Sequence, residues 1–138
     1  MTFDGALSDR QARRLAAAIG VSMIAFGAAP AAAPGVFARI FGFAEPDAQV
    51  ASMMRSLGAR DIVMGVGLWS AASHGGKFLP WTLARILVDG SDTLAVGLAI
   101  AQGKRDPRFI ALGALALGAT LSEMALYLVA RASQAAEE

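Results

Sequence analysis

Residues 109–130 read FIALGALALGATLSEMALYLVA and contain a single charged side chain, Glu123. At ~1.5 Å per residue, a helix of that length spans the ~30 Å hydrocarbon layer of a bilayer. A two-residue alternation that would mark a barrel strand is missing. A helix in a water-soluble bundle needs a polar stripe, with a charge every three or four residues on its wet face. No such face can be drawn on this stretch. Three more stretches share its character: residues 15–37, 50–73 and 78–101. The first, LAAAIGVSMIAFGAAPAAAPGVF, has no charge at all. The connections at residues 73–77 and 103–108 are short, which makes neighbouring helices antiparallel. The expected fold is therefore all-α: one integral membrane domain, an antiparallel four-helix transmembrane bundle running up-down-up-down.

The composition of the 138 residues agrees, with 56% hydrophobic and only 17% charged. An average soluble domain is roughly half apolar and about a quarter charged. Twelve Lys and Arg against eleven Asp and Glu leave +1, so no basic field attracts nucleic acid. The absence of cysteine excludes disulfides, thiolate metal sites and cysteine nucleophiles. One histidine, His74, is too few for a His-rich metal or haem site and reads as an interfacial polar residue.

Arg10, Arg13 and Arg14 precede the first apolar run, but its spanning length and its Gly and Pro content argue against a cleaved signal peptide. Pro30 and Pro34 should kink or end that helix. The following PGVFARIFGF is amphipathic and reads as an interfacial turn of helix, with Phe37, Phe41 and Phe43 towards the acyl boundary and Arg39 towards water. Trp69, Trp81 and Tyr127 lie near span ends, where interfacial aromatics belong. Five basic residues (Arg10, Arg13, Arg14, Lys77, Arg131) against four (Arg39, Lys104, Arg105, Arg108) favour both termini in the cytoplasm of a bacterial inner membrane.

Seven charged residues fall inside the spans: Arg55, Arg60, Asp61, Arg85, Asp89, Asp92 and Glu123. Each costs ~2.5–3.5 kcal/mol to insert, so the group must be clustered and mutually compensated or must line a wet cavity. Arg85, Asp89 and Asp92 stand at i, i+4 and i+7, one stripe of the third helix. Gly58, Asp61 and Gly65 repeat at three and four on the second, and the glycines let a neighbouring backbone approach. Counting depth from the span ends pairs Arg60 with Asp92 or Asp89, and Arg85 with Glu123. Three arginines against four carboxylates leave one negative charge over, which a proton on one acid would cancel. The plain alternative is that these pairs only staple helices together. Ser91 has a plain reading too, bonding back to its own helix.

The blocks SLGARDIVMGVGLW (residues 56–69) and ARILVDGSDTLAVG (residues 84–97) resemble the small four-span integral membrane proteins of domain-of-unknown-function family 4267. The resemblance covers residues 15–131, and the matching positions are Arg60, Asp61, Arg85, Asp89 and Asp92. It implies the four-helix bundle and carries no established activity with it.

A base, a proton donor and a cation to orient them make an acid–base site. The residues therefore point to an enzyme acting on a lipophilic small molecule by epoxide opening, isomerisation or cyclisation. None of these reactions requires a metal or redox cofactor. Asp61 and Asp89 are the candidate base and acid, Arg60 and Arg85 the orienting cations, and Arg55, Asp92 and Glu123 the supporting or ligand-binding groups. The alternatives are a non-catalytic lipid- or pigment-binding or accessory subunit, and a proton-coupled transporter. Expected partners are membrane lipid, a lipophilic small molecule and a second copy of the chain, since Gly- and Ala-rich faces associate readily.

Overall fold

The structure, a computed structural model, describes residues 8–135. Among them it forms five helices and no strand: α1 (Asp9–Ala32), α2 (Pro34–Ile40), α3 (Ala48–Ser73), α4 (Leu79–Ala101) and α5 (Pro107–Ala135). The chain is all-α.

Local chemistry fixes the helix starts. Ser8 and Gln11 form a reciprocal capping box on α1, and Asp47 accepts from the Val50 N–H at the start of α3. The Asp106 carboxylate accepts from the N–H groups of Arg108 and Phe109 as α5 begins. The apolar run expected as one segment over residues 15–37 is divided in two. Ala33 leaves helical geometry (φ −127, ψ 59), because the Pro34 ring crowds an α-conformation in the residue before it. Pro34 then opens α2, the short amphipathic helix anticipated in this connection.

The long helices pack as two pairs. In α1 and α3, Gly20 lies against Gly65 and Gly27 against Gly58. A Cβ added to Gly27 would stand 2.6 Å from the Gly58 carbonyl oxygen and 2.9 Å from Asp61 Cβ. The close approach therefore depends on the missing side chains, which also make room for Asp61. In the second pair, Gly113 of α5 receives Val96 of α4. Both pairs are antiparallel. The backbones of α3 and α4 stay well apart, and side chains fill the gap: the Trp81 ring rests on Gly67 at one level, and charged groups meet at another.

A small apolar cluster ties all four long helices together at the end that carries the α3–α4 turn. It contains Ala12, Ala16, Met23, Leu68, Ala72, Phe78, Leu126 and Ala130. Arg13 closes that end, its guanidinium 5.2 Å from the Phe78 ring centroid and donating to the Gly76 carbonyl at 3.0 Å. Outside, the surface is apolar; Val63, Leu87 and Leu94 are each more than 60% exposed. Two helices, α1 and the Pro107–Ala132 part of α5, are long and apolar enough to cross a membrane. Only 28% and 17% of their apolar windows is buried within the fold.

Candidate functional site

Six charged residues of α3, α4 and α5 form one connected network. Arg60 grips Asp92 with both terminal nitrogens, Nη1 to Oδ1 at 3.1 Å and Nη2 to Oδ2 at 2.8 Å. The same guanidinium donates from Nε and Nη2 to Asp61 Oδ1, at 3.0 Å each. Asp61 Oδ1 also stands 3.8 Å from Nη1 of Arg85. Arg85 in turn donates from Nε to Glu123 Oε1 at 2.9 Å and from Nη2 to Asp89 Oδ2. Asp61 is thus the bridge between two arginines. The order is Asp92, Arg60, Asp61, Arg85, with Asp89 and Glu123 at the far end.

Sequence spacing explains why these side chains meet. Arg85 and Asp89 are one turn apart on α4 and share a face, and Asp92 continues the stripe. Arg60 and Asp61 fall at the middle of α3, Asp89 at the middle of α4. Antiparallel α3 and α4 therefore bring Arg60 level with Asp92, and Arg85 reaches Glu123 across the α4–α5 seam. Both pairings anticipated from helix depth are present. Asp92 is the partner of Arg60, and Asp89 belongs to Arg85 instead.

Burial grades along the network. The Asp92 and Arg60 side chains are 39% and 30% exposed, and the value falls to 13% at Asp61, 10% at Arg85, 9% at Asp89 and 6% at Glu123. One end is partly exposed, and the other is nearly enclosed. At the enclosed end, Glu123 Oε2 is buried and has no hydrogen-bond partner. A buried acceptor without a donor costs ~1–3 kcal/mol, more when charged. That atom is the unsatisfied point of the site.

Arg55 does not join the network. It is exposed and makes no ion pair among the described residues. Six residues at ~100° each put it about 120° from Asp61 around α3, on the outer surface. Without it, two guanidiniums face four carboxyls. Spacing also failed to draw attention to Thr93 and Thr120. Thr93 Oγ1 donates to the Asp89 backbone carbonyl at 2.8 Å, and its hydroxyl is 3.5 Å from that of Thr120. Thr93 lies four residues after Asp89 and Thr120 three before Glu123, so both continue faces already marked by charge. Ser91 bonds back to Val88 O, as its plain reading anticipated, and Nδ1 of exposed His74 lies 3.0 Å from Ser70 O.

Neither of two surface grooves includes a network residue. One, between α2 and α5, is lined in part by Arg39 and Arg108, and the other lies beside Arg10, Arg13 and Arg14. Among the described residues no group of three or more His, Asp or Glu is arranged to hold a metal ion.

No curated protein and no solved structure matches the chain. Residues 20–129, which span α1 through most of α5 and contain every member of the charged network, match the family model described as a domain of unknown function, DUF4267, and the chain belongs to that family.

Proposed function

We propose that all four long helices cross a bilayer and that the Arg–Asp–Glu network is an acid–base site for a lipophilic small molecule, acting by epoxide opening, isomerisation or cyclisation. Helix length favours the membrane placement: α3 has 26 residues and α4 has 23, each enough for a ~30 Å hydrocarbon layer at ~1.5 Å per residue. The charged side chains of α3 and α4 turn onto one another, except Arg55. The outward side chains include Val63, Leu87 and Leu94. In water each exposed Leu would forgo ~1.5–3 kcal/mol of burial, while in lipid it forgoes nothing.

Buried, donor-free Glu123 Oε2 is the observation that carries the catalytic reading. Two guanidiniums cannot neutralise four carboxyls, and a proton resident on a buried carboxyl meets part of that need. A proton held there, beside a guanidinium, is what a general acid requires. Asp89, bonded to Arg85 through Oδ2, is the partner base; Arg85 between them stabilises negative charge developing on substrate oxygen. Arg60 and Asp61 hold Arg85 in place, and Asp92 stands at the exposed end, where a lipid-dissolved molecule would arrive. This assignment moves the acid from Asp89 to Glu123 and the base from Asp61 to Asp89, because Asp61 Oδ1 is occupied by both arginines.

The test offers the purified protein, in lipid nanodiscs, a panel of lipophilic epoxides and alkene isomers, with products read by mass spectrometry. Loss of general acid or base should lower conversion ~10²–10⁴-fold in Glu123→Gln and Asp89→Asn, leaving Asp106→Asn unchanged. A second reading, a non-catalytic staple or a dock for a ligand headgroup, is favoured by the pairing of Arg85 with both Asp89 and Glu123 at the buried end. Equal conversion by native protein and both variants would support it and end the catalytic one.

A further inference from the structure

The groove between α2 and α5 has cations on both walls over an apolar bed. Arg39 comes from α2 and Arg108 from the first turn of α5; Val36, Ile40, Leu112 and Leu115 supply the apolar surface, in a volume of about 680 Å³. Both arginines are exposed, and neither makes an ion pair among the described residues. The acid closest in sequence, Asp106, is already engaged through Oδ1 by the first N–H groups of α5. Its carboxylate lies beside Gly42, where the α2–α3 and α4–α5 connections meet. The positive end of the 29-residue α5 faces the same level. Leu115, two turns further along α5 than Arg108, carries the apolar bed ~10 Å towards mid-helix depth.

We infer that this groove is a binding site for an anionic phospholipid drawn from the surrounding bilayer, with the phosphate between Arg39 and Arg108 and an acyl chain along Ile40, Leu112 and Leu115. The inference rests on the membrane placement above but not on catalysis at the charged network. Charge complementarity selects the occupant: a zwitterionic lipid brings its own cation into a site that already has two. A free phosphate would leave the apolar bed uncovered. Arginine suits the task because its planar fork matches phosphate oxygens in pairs.

Native mass spectrometry tests this on protein released from nanodiscs of phosphatidylcholine mixed equally with phosphatidylglycerol. The expected result is one phosphatidylglycerol retained per chain in preference to phosphatidylcholine. With ~1 kcal/mol per arginine at a membrane surface, the Arg39→Gln/Arg108→Gln double variant should lose about 30-fold of that preference. Lys104→Gln/Arg105→Gln, which changes the same charge outside the groove, should keep it. Equal retention of both lipids, equal loss in both double variants, or displacement of the lipid by millimolar inorganic phosphate would each overturn the site. Membrane association of every variant is followed by alkaline extraction. Release of the native chain would refute the membrane placement instead, and is read separately from lipid preference.

Discussion

Glu123 and Arg85 illustrate how a buried charge pair behaves when one partner is taken away. Their 2.9 Å hydrogen bond is nearly enclosed, so removing Arg85 strands Glu123, and Asp89 with it, in a medium that solvates a charge poorly. Arg85→Ala should therefore destabilise the fold by ~3–5 kcal/mol, whereas the joint replacement Arg85→Met/Asp89→Leu/Glu123→Leu should recover much of that loss. Asp92→Asn, at the exposed end, should cost far less, because solvent or lipid headgroups reach a side chain that is 39% exposed. Thermal unfolding in one detergent ranks the three variants, and equal losses would contradict the burial gradient. Much of this site could be read from residue spacing. The i, i+4, i+7 stripe of α4 and the equal depth of Arg60 and Asp92 required no coordinates. The bridging role of Asp61 and the departure of Arg55 depend on the rotation of α3 about its axis, which glycine contacts with α1 set and α3's own sequence does not.

Among the elements, α1 and α3 depend on absent side chains. Gly27→Val would drive a Cβ to within 2.6 Å of the Gly58 carbonyl oxygen, and backbone cannot yield as a side-chain end can. The cost should reach ~3 kcal/mol or more, with Asp61 displaced at the same time. Gly97→Ala on α4, where nothing lies within 4 Å, should instead gain up to ~1 kcal/mol from helix propensity. Unfolding midpoints of the two variants check both signs. The four apolar stretches and the amphipathic α2 were visible in hydropathy, while the Ser8–Gln11 capping box, which starts α1 earlier than residue 15, went unread. What hydropathy concealed was the pairing. A short α3–α4 turn suggests close neighbours, yet Trp81 and the long arginine side chains keep those two backbones apart.

For the whole molecule, the proposed membrane placement puts the level of the charged network in hydrocarbon. Val63 on α3 and Leu87 and Leu94 on α4 flank the network in sequence and point outward, 63%, 66% and 64% exposed. The native chain has no cysteine, so single cysteines can be introduced against a silent background. Labelling Val63→Cys, Leu87→Cys and Leu94→Cys in membranes with a membrane-impermeant maleimide, beside Gly75→Cys and Gly103→Cys in the two turns, measures that depth directly. Gly75→Cys and Gly103→Cys should react from opposite sides while the other three stay unlabelled until detergent is added. Val63→Cys, Leu87→Cys and Leu94→Cys reacting in intact membranes as fast as the turn positions would contradict that placement.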